Sequence, residues 1–376
     1  MQAPQARIVW HRTGSTSEVD VGEAGRRRQR ILVSGGAGFI GSTFVRRRLA
    51  ASDDDITVVD KLTYAGSLAN LEGLADDPAT RDHYRFVQAD IADEPLMKEL
   101  VADCDAIVNF AAESHVDRSI LEPSAFLHTG VMGVYSLLEA ARARHEQADG
   151  VIRVVQVSTD EVYGPVPEGL STEDDPVRPT SPYSAAKAAG EHLVHAYHET
   201  HGLDTIITRG ANTYGPRQYP EKLIPLFITN ALDDQSLPMY GDGLQRRDWL
   251  FVDDHADGVA RALDHGLSGL AYNIPGDGIE RPNRAVTEAV LAALGKPWSL
   301  VRSVPDRPGH DRRYALDGNR LRALGWQPRM SFEAGITLTV DWYARNRGWW
   351  EPLKSGDWGD YYRRQYAWRL EQSVEA

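Results

Sequence analysis

A glycine-rich turn set directly behind an apolar strand constrains this chain more than any other feature. Residues 31–34 read as a strand and run into Gly35, Gly38 and Gly41, after which a helical stretch continues to about Arg48. A G-x-x-G-x-x-G spacing at a strand-to-helix junction lets the backbone approach a pyrophosphate held at the helix N-terminus. Glycines at such a junction also serve turn geometry alone, so the second half of the pattern matters. Asp60 closes the next strand 19 residues after Gly41, near the ~20 expected of a carboxylate that meets the adenosine ribose hydroxyls. A carboxylate there repels a 2′-phosphate, which favours NAD over NADP. Asp90 ends the following strand-like run and suits either an adenine contact or a simple strand-end cap.

The rhythm that follows is that of repeated βαβ units. Short apolar runs (ITVVD, RFVQAD, AIVNFAA, VIRVVQVS) alternate with helical stretches, one of them spanning about Ser124 to Arg144. Such alternation predicts an α/β fold, a doubly wound parallel Rossmann sheet with a smaller mixed α/β substrate-binding region. The expected division is a flexible N-terminal extension over residues 1–30, a dinucleotide-binding domain over 31–211 to which 245–273 return, and a ligand-binding region formed by 212–244 and 274–376. The 376 residues, 42% hydrophobic and 25% charged, suffice for a large core. No apolar stretch reaches the ~20 residues that cross a bilayer, and no secretory leader is evident, so a cytoplasmic protein without a membrane partner is expected. Cys104, the single cysteine, excludes an internal disulfide framework and a cysteine-based metal site, and no metal is expected. The formal charge, 41 − 54 = −13, disfavours nucleic acid as a partner.

Two polar constellations carry the chemistry. Tyr183 and Lys187 stand four residues apart at the start of a helix that follows the breaker Pro179, Thr180, Ser181, Pro182. That spacing puts both on one face. A lysine ammonium beside the phenol would lower its pKa and let it act as a base near neutrality. Y-x-x-x-K also arises by chance on amphipathic helices, and it gains weight here from the glycine loop and parallel sheet. The second constellation is Thr159, Asp160 and Glu161 at the carboxyl end of a central strand, the edge where doubly wound sheets bind ligands. Adjacent carboxyls there suit an acid and a base with separated pKa values, against the plainer reading of solvated loop acids. Strand alternation would send them to opposite sides, so the chain must turn at this point.

Taken together, the segments GGAGFIG, DKLTYAG, AAESHVDRSI, STDEVYG, SPYSAAKAAGEHLV, NTYGPRQYPEKLIPL, RRDWLFVDDH and DRPGHDRRYALD resemble the extended short-chain dehydrogenase/reductase family, in particular its dTDP-glucose 4,6-dehydratases, from Ile31 to about Arg369. The Asp-Glu pair is the most diagnostic, because related nucleotide-sugar epimerases lack it. The resemblance implies a lyase with tightly held NAD: oxidation at carbon 4 of the sugar, loss of water across carbons 5 and 6, and re-reduction at carbon 6. It assigns Tyr183 as the base at the carbon-4 hydroxyl, Thr159 as its hydrogen-bonding neighbour and Lys187 as support for Tyr183 and the nicotinamide ribose. Glu161 would take the carbon-5 proton and Asp160, protonated, would donate to the departing hydroxyl. Phe39, Ile40, Lys61, Thr63, Ile91 and Ala111 join the glycines and both aspartates around the cofactor. Asn212, Lys222, Leu223, Pro238, Tyr240, Arg247, Asn273, Arg307 and His310 are implied to hold the nucleotide, with Ser114 and Asp117 beside the hexose. The same likeness implies a homodimer, and the YPEKLIP segment favours a thymine nucleotide.

Two positions depart from the family pattern. Gly130 follows Thr129 where asparagine is usual, at an expected cost of roughly 1 kcal/mol to its helix. The nucleotide loop reads Ala211, Asn212, Thr213 in place of Ser-Asn-Asn. Both leave the exact sugar open. The rival readings are a same-fold dehydratase or epimerase acting on a UDP-linked or amino sugar, a decarboxylase of the same fold, and a catalytically silent NAD-binding scaffold, which would typically have lost the tyrosine, the lysine or an acid. The pathway served stays open as well.

Overall fold

The computed structural model describes residues 27–147, 150–355 and 357–375. All but the last four residues of the expected extension, 1–30, therefore lie outside the described residues. The strands are β1 (Arg30–Ser34), β2 (Asp55–Asp60), β3 (Tyr84–Gln88), β4 (Ala106–Asn109), β5 (Arg153–Thr159), β6 (Asp204–Gly210), β7 (Asn212–Tyr214), β8 (Leu237–Tyr240), β9 (Arg246–Phe251), β10 (Ala271–Ile274), β11 (Glu280–Pro282), β12 (Val301–Val304) and β13 (Val374–Glu375).

Seven of them form one parallel sheet in the order β10-β6-β5-β4-β1-β2-β3. Their near-continuous apolar runs suit a sheet covered on both faces. Ile31 and Val33 join a core with Phe44, Val45 and Leu49 of the helix Phe39–Ala51 and Val259 and Leu263 of the helix Val252–His265. Leu32 points the other way, into a core with Met97, Val101, Leu137, Leu138 and Val194. Strand order reverses between β1 and β4, and ligands of such sheets bind at that crevice. A buried polar chain ties the strands there: Ser34 Oγ donates to Asn109 Oδ1 at 2.7 Å, and Asn109 Nδ2 donates to Gln156 Oε1 at 2.8 Å.

A third core, with Tyr214, Phe227, Trp249, Phe251, Tyr343 and Trp350, fills the remainder of the chain. It carries two small sheets, β11-β9-β7 and β13-β12-β8. β7 leaves β6 after one residue, Ala211, so the carboxyl end of an interior strand of the large sheet leads straight into this second region.

The stretch expected as one helix from about Ser124 is three segments, Pro123–Leu127, a π-helical turn His128–Gly133 and Val134–His145. Gly130 sits in that turn for a packing reason. A Cβ on it would lie 3.2 Å from Ala186 Cβ, and one on Gly190 would lie 2.7 Å from the Gly130 carbonyl oxygen. The helix Pro182–His201, which carries Tyr183 and Lys187, is thereby brought against the turn.

Candidate active site

At the glycine loop, Gly35 has φ +70°, and a Cβ on it would stand 2.5 Å from the Ala111 amide nitrogen. Gly38 caps the helix Phe39–Ala51, whose first turn carries no acidic residue. The loop is a bare backbone cradle at a helix N-terminus, where the helix dipole favours an anion, so the residues present fit a dinucleotide pyrophosphate. Asp60 accepts from the backbone amides of Ala37 (2.9 Å) and Leu62 (2.8 Å). Burial raises its pKa and those amides oppose the rise. Lys61 Nζ donates to Asp90 at 2.6 Å. Partial burial of Asp90 is outweighed by Lys61 and the Ala92 amide, leaving its carboxyl below the usual range.

From this loop a cavity of about 260 Å³ runs to the end of β5. It brings together every expected cofactor residue (Gly35, Gly38, Phe39, Ile40, Gly41, Asp60, Lys61, Thr63, Asp90, Ile91, Ala111), all five catalytic candidates, and Ser114, Asn212 and Lys222.

The catalytic segment turns as the sequence required. β5 ends at Thr159, whose side chain caps a 3-10 turn, Asp160–Tyr163, by accepting from the Glu161 amide at 3.3 Å. Thr159 Oγ1 donates to Asp160 Oδ1 at 3.1 Å. Burial, aided by the neighbouring Glu161, pushes the Asp160 carboxyl up to about 8. Glu161 is also raised by burial, but Arg307, Lys222 and Arg247 act against the rise. One carboxyl is therefore held as an acid at neutrality while its neighbour is surrounded by cations.

Tyr183 opens the helix Pro182–His201, which starts with Pro182 at its first position and a capping box between Ser181 and Ser184. The expectation of a lysine-lowered phenol is not met in this geometry. Burial raises the Tyr183 pKa, Glu161 adds to it, and only the hydrogen bond with Thr159 opposes. Lys187 Nζ instead donates to the Val157 carbonyl at 2.7 Å, and burial brings its pKa down to about 8.

The remaining nucleotide candidates lie outside the cavity lining. Asp117, Tyr240 and Arg307 form one cluster: Arg307 Nη1 donates to Asp117 at 2.7 Å, and the Tyr240 hydroxyl donates to it at 2.9 Å. His310 pairs with Asp306 at 2.7 Å and stands edge-on to Tyr240. Arg247 donates to the Asp311 carbonyl at 2.8 Å and lies over the Tyr314 ring. Leu223 starts the helix Leu223–Leu232, and Pro238 is buried in β8. Asn273 is fully buried and spent on structure: its Nδ2 donates to the Ser171 and Asp317 carbonyls, and its Oδ1 accepts from Tyr163. It is not brought to the site.

The sequence did not single out Glu113, Gln218, Glu221 and His255, which also line the cavity. Glu221 accepts from Arg118 Nε at 2.7 Å, with the guanidinium sandwiched between the Tyr64 and Tyr361 rings. The C-terminal segment was missed too. Gln365 Nε2 donates to both Asp117 and the Tyr240 hydroxyl, and Tyr366 stacks on Tyr240.

A doubly wound sheet with a glycine cradle, a Tyr-x-x-x-Lys helix and two carboxyls at the strand edge defines a dinucleotide-binding enzyme of the extended short-chain dehydrogenase/reductase class. The chain belongs to the GDP-mannose 4,6 dehydratase family, which it matches over residues 32–339. It is similar to a dTDP-glucose 4,6-dehydratase of Streptomyces niveus, 52% identical over 334 residues that cover 87% of this chain and 96% of the relative. Among solved structures it resembles DesIV, a dTDP-glucose 4,6-dehydratase from Streptomyces venezuelae with NAD bound (TM-score 0.82, 52% identity, 86% of this chain and 100% of that one). A UDP-glucose 4-epimerase of Thermus thermophilus in complex with NAD is more distant (TM-score 0.76, 34% identity, 84% and 99%).

Proposed function

We infer that this chain is an NAD-dependent dTDP-glucose 4,6-dehydratase, forming dTDP-4-keto-6-deoxyglucose for deoxysugar biosynthesis. The observation that carries it is the split environment of Asp160 and Glu161 beside Tyr183 and Thr159. The glycine loop, Asp60 and Lys187 would hold NAD, whose chemistry there would be hydride uptake from carbon 4 and its return to carbon 6 while Glu161 gives the proton back to carbon 5, so no external reductant is needed. With the positive charge of the nicotinamide to favour its phenolate, Tyr183 would take the proton of the carbon-4 hydroxyl, with Thr159 bonded to it. The resulting ketone acidifies carbon 5, where Glu161 removes the proton while Asp160 protonates the leaving hydroxyl on carbon 6. Arg247 and Arg307, whose guanidinium forks suit a diphosphate, hold the nucleotide.

Residues 31–211 with 245–273 act as the cofactor half, and 212–244 with 274–376 as the nucleotide-sugar half. None of the described helices is long and apolar enough to cross a membrane, and we place the enzyme in the cytoplasm. The homodimer would pair through the helices around residues 116–145 and 182–201. Ile120, Leu121, Leu127 and Met132 support that face, each between 42% and 52% exposed.

The test is incubation with dTDP-glucose without added reductant, read by mass. A 4-keto-6-deoxy product lighter by one water is expected. No turnover of it, with UDP-sugars converted instead, would overturn the nucleotide assignment.

A further inference from the structure

His255 belongs to the helix Val252–His265, which packs against β5 and β6, and it reaches the cavity. Gly210 makes this possible: a Cβ there would lie 2.4 Å from the imidazole Cε1. Gly210 pairs in register with Thr159, so the ring stands behind the reacting end of the cavity, remote from the Asp60 end.

Its tautomer follows from two distances. Thr213 Oγ1 is 3.0 Å from the Ala211 carbonyl oxygen and 2.7 Å from His255 Nδ1. A carbonyl only accepts, and with the single hydroxyl proton given to Ala211 it is Nδ1 that carries the hydrogen donated to Oγ1, the tautomer that satisfies both contacts. Nε2 is left as a bare lone pair, and it is buried with no hydrogen-bond partner among the described residues. Burial, with the Lys187 ammonium adding to it, pushes the imidazole down to about 3. It is therefore a neutral acceptor at every pH at which the enzyme would work. A buried acceptor without a donor is unfavourable, and at the wall of a ligand cavity a donor on the ligand can satisfy it.

The donors a dinucleotide and a hexose bring to this end are sugar hydroxyls and one amide. Tyr183 and Thr159 face the reacting hydroxyl, whereas no side chain named so far accepts from the amide. We propose that His255 Nε2 accepts a hydrogen bond from the carboxamide N–H of the nicotinamide and so sets which way the ring faces, an inference that rests on the NAD-dependent reading above. Thr213 is the positioning residue that fixes the acceptor.

The experiment is exchange of the dinucleotide in the purified holoenzyme against 3-acetylpyridine adenine dinucleotide, whose methyl ketone keeps the carbonyl and lacks the N–H. The equilibrium ratio of the two bound dinucleotides is read by mass spectrometry. The wild type should prefer NAD by about tenfold, the size of one well-made buried hydrogen bond. His255→Leu should bring that preference close to one, Thr213→Val should reduce it, and Thr213→Ser should restore it. Equal weakening of both dinucleotides by His255→Leu, with the preference intact, overturns the proposal and leaves His255 a packing residue. So does a loss confined to dTDP-glucose affinity, which would give the lone pair to the sugar. Should His255→Leu fail to fold, the Thr213 pair decides by the same ratio. A wild-type protein that carries and takes up neither dinucleotide would instead sink the NAD reading itself.

Discussion

Asp160 and Glu161 are adjacent and chemically alike, and only their surroundings give them separate work. Burial and the charge of its neighbour hold the Asp160 proton up to about 8, whereas Glu161 faces Arg307, Lys222 and Arg247. The acid form of Asp160 is present below that pH and lost above it, so kcat should fall on the alkaline side of about pH 8. Asp160→Asn should lower the plateau and erase that limb of the pH profile. Glu161→Gln should separate the steps, since the proposed reaction uses Tyr183 for oxidation at carbon 4 and Glu161 for elimination. Dehydration should drop by about 10²–10⁴-fold, the range for a positioned general base. Reduced-dinucleotide absorbance should nevertheless appear on mixing with dTDP-glucose. Absence of that absorbance would mean that Glu161 also serves the first step.

At the scale of elements, the helix Pro182–His201 places the proposed base, Tyr183, and four independent features place the helix. Pro182 and the Ser181–Ser184 capping box fix where it starts, and Gly202 in the left-handed region ends it. Inward, Arg209 of β6 donates to Glu191 at 2.7 Å, with both side chains under 10% exposed. Outward, Gly190 meets the carbonyl of Gly130. Alanine for glycine in a helix interior ordinarily stabilises by about 0.5–1 kcal/mol. Gly190→Ala should reverse that sign, because its Cβ would lie 2.7 Å from a backbone oxygen, and a loss of about 1–3 kcal/mol is expected from such overpacking. Denaturant unfolding measures it, and a stabilised variant would show that the π-helical turn yields freely. The helix-weakening glycine noted in the sequence is thus a spacer between two helices.

For the whole molecule, the cavity lies where two regions meet. Asp117, from the short helix Val116–Leu121 after β4, is held by Arg307, Tyr240 and Gln365 from the second region. The proposed dimer belongs to this scale as well. Four large apolar side chains on consecutive helical segments, each about half exposed, form a face whose burial between two copies would be favourable. Light scattering should give twice the chain mass, and Leu127→Glu with Met132→Glu should shift it toward the single chain while leaving the cavity residues untouched. A wild-type protein that elutes as a single chain would remove the dimer.

Local pattern was enough to determine the parallel sheet and the glycine cradle, and to single out the candidate cofactor carboxylates and the five catalytic candidates. Each depends on periodicity, on a turn, or on spacing along one helix or strand end, and such features are written in neighbouring residues. The need for a turn at Asp160 was legible for the same reason. Contacts between distant segments were not. Gln365 joins Asp117 across 248 residues, Arg118 meets Glu221 across 103, and His255 reaches the site only because Gly210 has no side chain. Protonation states belong with them. Burial and the cations around a group decide whether Tyr183 is raised or lowered and which carboxyl keeps its proton, and both are properties of the packed interior.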